Sequence, residues 1–120
     1  FITSFKYDMK IVYIKDEFLP KSFYAINLFG ILFAKGYCDK TTINHEQIHT
    51  AQMKELEYIF FYIMYVLEWT IRLFQHKGFI VAYYNISFER EAYKNEYDYY
   101  YLRQRKHYAF LKYLKKKSCV

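Results

Sequence analysis

Asn44-His45-Glu46-Gln47-Ile48-His49-Thr50-Ala51-Gln52 is the stretch on which the reading of this 120-residue chain turns. Neither Gly nor Pro, apart from Gly78, follows Gly36, so Tyr37 to Lys77 is expected to be helical. Asn44 is the expected N-cap, with Gln47 as its capping-box partner. Residues four apart on a helix lie one above the other. The imidazoles of His45 and His49 therefore share a face, where both can ligate one zinc ion at about 2.0–2.1 Å. Glu46, one step from His45, flanks such an ion instead of binding it, and is the candidate general base toward water at the metal.

So short a pattern arises by chance in roughly one chain of this composition in a hundred, and its surroundings must carry the reading. Gln52 extends it to HExxHxxQ, and a second acidic cluster, Phe88-Glu89-Arg90-Glu91-Ala92-Tyr93, follows forty residues on. A catalytic zinc needs a third protein ligand and one open position. Glu89 and Glu91 are two apart and face nearly opposite ways on a helix, so only one can point at the metal. Glu89 is the expected ligand, because the small Ala92 three residues later lets the two helices approach. Glu91 is expected to be a first-turn acid that complements the helix dipole.

That assignment constrains the fold. A straight helix from His45 to Gln75 runs about 45 Å, whereas a chain of this length has a radius of gyration near about 14 Å. The link from His76 to Ile86 reaches at most about 36 Å. The long helix must therefore break, and the polar Lys54-Glu55-Leu56-Glu57 is the expected place. Three helices follow, at about 44–55, 57–75 and 87–116, with Gly78 as a helix end and Ser87 as an N-cap. Before them, Met9–Lys15, Phe23–Phe29 and Ile31–Ala34 read as strands bounded by Pro20 and Gly36, with Gly30 marking a bulge or a tight turn. The expectation is a single α+β domain over 1–120, with short antiparallel strands in 1–36 and helices in 44–116.

Composition narrows the classes further. At 54% apolar the chain is neither disordered nor a linker. Cys38 and Cys119 are too few and too far apart for a disulfide framework or a zinc ribbon. The longest apolar run, Tyr58 to Leu67, is shorter than the about 20 residues that cross a bilayer. It is expected to be a helix buried in the core or facing a membrane surface without spanning it, with Glu68 and Arg72 paired at i,i+4. The net charge of +6 gathers between Arg103 and Val120, which hold seven basic residues and no acidic one. No signal peptide is visible, and the chain begins with Phe1, so a cytoplasmic or membrane-associated protein with a truncated N-terminus is expected.

His45-Glu46-x-x-His49 followed by Glu89-x-x-Ala92 resembles the gluzincin metallopeptidases of the zincin superfamily, particularly the membrane-associated kind with HExxH followed by ExxAD. The resemblance covers about half the chain, from Asn44 to roughly Asp98. It implies a zincin-like fold, Zn2+ as cofactor, His45, His49 and Glu89 as its ligands, Glu46 as base, and hydrolysis of a peptide or protein substrate. Where the family has an Asp one turn after its glutamate ligand, to orient a ligand histidine, this chain has Tyr93. Tyr93 and Glu96, on the same face as Glu89, are the two candidates for that role. An oxyanion partner stays open among Tyr83, Tyr84, Tyr93 and His107. Two other readings remain. One is a zincin-like protein without turnover. The other is a basic helical adaptor that binds an anionic membrane, or less favourably nucleic acid, through Arg103 to Lys117, and this leaves the histidine-glutamate pattern unexplained.

Overall fold

Asp39 opens the first helix, with its carboxylate accepting the Thr42 amide at 2.8 Å. Such a cap satisfies an amide that the helix itself cannot, and is worth about 1 kcal/mol. The computed structural model describes residues 2–6, 9–19, 21 and 23–115, so Pro20, Lys116, Lys117 and Cys119 lie outside the described residues. Four strands, β1 (Ile2–Lys6), β2 (Met9–Tyr13), β3 (Ala25–Leu28) and β4 (Ile31–Ala34), precede five helices. These are α1 (Lys40–Glu55), α2 (Ile59–Gln75), α3 (Phe79–Tyr84), α4 (Ser87–Asn95) and α5 (Tyr101–Gln104). The α+β class expected from the sequence is the one observed.

The sheet runs in the order β1-β2-β4-β3. It is mixed rather than wholly antiparallel: β1–β2 and β3–β4 are antiparallel, while β2–β4 is parallel. The chain passes from β2 through a turn of 3-10 helix at Asp16–Phe18 and enters β3 before doubling back, so β4 meets β2 in the same direction. The return at Phe29-Gly30 has φ of 55° and 90°, the left-handed pair of a two-residue hairpin, and Gly30 meets that demand without strain. Alternating residues of β2 and β4, Met9, Ile11, Leu32 and Ala34, turn to one face and pack with Cys38 and Ile43. β3 ends the sheet, with its outer edge unpaired among the described residues.

The break in the long helix falls where the length argument needs it. α1 stops at Glu55 with Leu56 as C-cap. Glu57 takes φ 54°, its amide donates to Lys54 O, and the Tyr58 amide donates to Met53 O at 2.8 Å. These two bonds are those of a Schellman motif, closed here by a glutamate in place of glycine. α2 then runs back, and Phe61 of α2 joins Met53, Ile86, Phe88 and Phe110 in a second core.

Elsewhere the boundaries differ from expectation. Asn44 is not an N-cap: it lies inside α1, and its amide donates to the carbonyls of Asn95, Glu96 and Asp98. The third expected helix, drawn to 116, ends at Asn95, and the carbonyls of Asn95 and Asp98 go on to accept the amides of Asp98 and Tyr101 in tighter three-residue turns. Beyond it come only α5 and a 3-10 stretch at Ala109–Tyr113 that packs back on α4. Ser87 is not a cap either. Its amide and hydroxyl both donate to the Glu68 carboxylate, which Arg72 holds from the other side at 3.1 Å. Gly78, with φ 101°, precedes the unexpected α3 rather than closing α2, which ends at Gln75. Much of α2 is in water and not in the core, as Ile59, Val66 and Phe74 illustrate.

A β-branched side chain at φ 54° is strained, whereas glycine is at ease there. Glu57→Val is expected to lower stability in urea unfolding by about 1–2 kcal/mol, and Glu57→Gly to lower it not at all.

Candidate metal centre

Two buried helices meet at the motif. His45 and His49 project from α1 on one face, as their spacing requires, and α4 brings Glu89 against them. Nε2 of His45 lies 3.1 Å from Nε2 of His49, and Oε1 of Glu89 lies 3.2 and 3.1 Å from these two nitrogens. All three side chains are buried. Donors at about 2.0–2.1 Å from one tetrahedral ion stand about 3.3–3.4 Å apart, so the observed triangle is the base of such a site to within a few tenths of an ångström. The three form the group of possible metal ligands among the described residues.

The outer partners decide what the triangle can hold. Nδ1 of His45 faces Oε1 of Glu96 at 2.8 Å, and a carboxylate can only accept there. Nδ1 of His49 faces Oε1 of Gln52 at 2.8 Å. The Gln52 amide is fixed in that sense because its Nε2 donates to Phe88 O and Glu91 Oε1, both at 3.0 Å. Both imidazoles thus carry their proton on Nδ1, and both Nε2 lone pairs point at the Glu89 oxygen. With both imidazoles neutral, three acceptors converge with no donor among them, whereas a proton on His49 Nε2 makes that nitrogen a donor to Glu89. One proton can bridge only one pair of them, whereas a divalent cation satisfies all three. Tyr65 completes the shell by donating its hydroxyl to Oε2 of Glu89 at 2.6 Å.

Electrostatics follow from this crowding. Burial disfavours a charged His49, but the Glu89 carboxylate outweighs it and holds the imidazole at about 9. Burial likewise works to raise the Glu89 carboxyl, and the two histidines overcome it and push it well below the usual carboxylate range. Glu46 differs in sign: the protein around its carboxyl raises it, with His49 and His45 opposing. Burial and the nearby Glu89 charge keep the phenols of Tyr65 and Tyr83 protonated.

Each sequence-derived site residue can now be located. His45, His49 and Glu89 converge. Glu46 is partly exposed and lines two cavities that flank the triangle. The first, of about 280 Å3, is walled by β3 residues and by Phe61, Tyr62, Tyr65 and Trp69 of α2. Of the two candidates for orienting a histidine, Glu96 makes the hydrogen bond, while Tyr93 packs its ring against His45 with centroids 4.4 Å apart and meets the Tyr83 hydroxyl at 3.1 Å. His107 is exposed and pairs with Glu55, so it is no partner for chemistry at this triangle.

Glu91 is not the dipole-complementing surface acid expected of it. It is wholly buried and receives Arg105, Tyr101 and Gln52. Burial would raise its carboxyl, but hydrogen bonds from Arg105, Gln52 and Tyr101 hold it below the usual range. Arg105 also forks onto both oxygens of Glu55 at 2.9 Å. A continuous chain, Arg105–Glu91–Gln52–His49, therefore ties the C-terminal segment to the triangle. Sequence reasoning missed its inner members, although the HExxHxxQ extension had already singled out Gln52. It also missed Asn27, whose amide donates to Glu46 O and Thr50 Oγ1 at 2.9 Å and fastens β3 beside α1.

Compared with protein-family models, curated proteins and solved structures, the chain gives no significant match. The site's chemistry therefore rests on its own geometry.

Two measurements probe that geometry. In chelator, the raised His49 pKa contributes stability that is fully present below 6.5 and is lost as pH rises through about 9. The melting temperature of the metal-free protein is expected to fall across that window, and affinity for a divalent ion to rise across it as the competing proton leaves. Gln52→Leu keeps the volume but removes the acceptor of His49 Nδ1–H. It is expected to weaken zinc binding by about 10–100-fold in competition with a chelating dye.

Proposed function

We propose that this protein is a zinc-dependent metallopeptidase of gluzincin type, with His45, His49 and Glu89 as ligands and Glu46 as general base. The observation that carries the reading is the locked tautomer pair: two Nε2 lone pairs and one carboxylate oxygen, 3.1–3.2 Å apart, aimed at a common point. A zinc ion held there would supply Lewis-acid polarisation of a scissile carbonyl and an acidified water.

The chain's own residues do the rest. Glu46 takes a proton at its carboxylate and returns it to the leaving amine, and burial raises its carboxyl above the ordinary carboxylate value, which makes it a stronger base. Tyr83 lines both cavities and keeps its phenolic proton, which makes it the residue suited to donate toward a developing oxyanion. An extended peptide can add to the outer edge of β3 by displacing the Tyr62 hydroxyl from Asn27 O, and residues Ala25 to Leu28 line the cavity that also contains Glu46, His49 and Glu89. The apolar wall opposite favours a substrate with a large hydrophobic side chain near the scissile bond.

The hydrogen bond that His45 Nδ1–H donates to Glu96 supports an active enzyme over an inactive relative, because Glu96 supplies an orienting carboxylate where Tyr93 has none. The adaptor reading draws less support, since Arg105, one of its basic residues, is occupied by Glu55 and Glu91. No helix among the described residues is long and apolar enough to cross a membrane.

Metal analysis of the purified protein is expected to give one zinc per chain, lost in His49→Ala. Glu46→Gln is expected to retain the zinc and lose peptide hydrolysis by about 10²–10⁴-fold. Zinc without any cleavage of a peptide library would support the inactive alternative, and absence of zinc would remove the peptidase reading.

A further inference from the structure

α2 is amphipathic in an unusual sense, because its polar groups face inward. Its only charged side chains, Glu68 and Arg72, are buried and paired with each other. The residues it leaves in water run from Ile59 through Ile63, Val66, Leu67 and Ile71 to Phe74, which is 88% exposed. At about 100° per residue these positions sweep an arc of about 140°. That is wider than the two-in-seven seam by which one helix packs on a second copy of itself.

α3 extends the same face with Phe79, Ile80, Val81 and Tyr84, all exposed. With a whole aromatic side chain offering 150–250 Å², Phe60, Phe74, Phe79 and Tyr84 alone leave roughly 400–700 Å² in water. That already matches the largest patch on a typical monomer, before the aliphatic residues are added.

The polarity of the face identifies what covers it. A protein partner makes roughly one hydrogen bond per 100–200 Å² of interface, and the exposed side of α2 offers few groups for them: its polar residues are Thr70, whose hydroxyl donates back to Val66 O, and Gln75, whose Oε1 accepts from Arg72. A hydrocarbon phase asks for none. Lys77 is exposed in the bend between Phe74 and Phe79, where an ammonium can reach a phosphate while its neighbours sink below it. The chain's net charge of +6 has the sign that anionic headgroups attract.

We infer that the α2–α3 face seats this protein peripherally on an anionic lipid bilayer, with α2 lying in the plane of the interface. Ile80 and Tyr84 belong to this face and also line the cavity that holds His45, Glu46 and Glu96. The bilayer therefore borders the mouth of the candidate site. The inference stands on the exposed face alone and does not require a metal.

Flotation with vesicles tests it, using equal parts phosphatidylcholine and phosphatidylglycerol against phosphatidylcholine alone. The protein is expected to float with the anionic vesicles and less with the neutral ones. Phe74→Asp and, on a separate turn, Ile63→Asp are each expected to cut the bound fraction at least about tenfold. Both sites are exposed, so folding checked by far-ultraviolet circular dichroism should persist, and if one variant fails to fold the other decides. His45→Ala is expected to float like the parent chain, which separates this result from the fate of the metal reading. Absence of flotation, equal flotation on neutral vesicles, or a solution dimer that Ile63→Asp dissociates would overturn the inference.

Discussion

The meeting of α1 and α4 rests on a carboxylate driven between two imidazoles. Burying Glu89 without partners would be costly. It is tolerable because His45, His49 and Tyr65 surround it at 2.6–3.2 Å. Each imidazole is in turn held at its other nitrogen, His45 by Glu96 and His49 by Gln52. The arrangement is satisfied by hydrogen bonds on the outside, and at its centre it gathers three groups that could hold a metal ion.

The rest of the molecule can be understood as a frame for this contact. The Schellman turn at Leu56–Tyr58 sends α2 back along α1, so that Phe61, Tyr65 and Phe88 stack over the triangle. Glu68 on α2 then receives the amide and hydroxyl of Ser87 and fixes where α4 begins. Asn44 on α1 donates to three carbonyls at the far end of α4. Two side chains from neighbouring helices thereby hold both ends of the helix that carries Glu89 and Glu96. Asn27 does the same for the sheet, fastening β3 beside the motif helix.

The same economy explains the face left in water. With Glu68 and Arg72 turned inward to serve α4, the outward side of α2 presents mostly apolar residues, with Thr70 and Gln75 as its exposed polar ones. An apolar exterior is then the counterpart of a polar interior, and both arise from one 17-residue helix.

What the amino-acid sequence determined by itself is local. Helical spacing placed His45 and His49 on one face, the distance argument required a break near Lys54 to Glu57, and the short runs on either side of Gly30 left a bulge or a tight turn between them. These follow from the 3.6 and 2 periodicities and from chain length, which need no knowledge of neighbours. What only the tertiary structure decided was pairwise. Whether Glu91 is a surface acid or a buried ion depends on Arg105, fourteen residues away. Whether Asn44 caps its own helix or another depends on Asn95 to Asp98, and whether Tyr93 or Glu96 meets His45 depends on how far α4 turns before it ends. A polar side chain finds its partner by burial and desolvation, not by sequence distance, and the direction of β4 against β2 was equally beyond local reach, because a parallel pairing is set by the path of the connection rather than by the strands themselves.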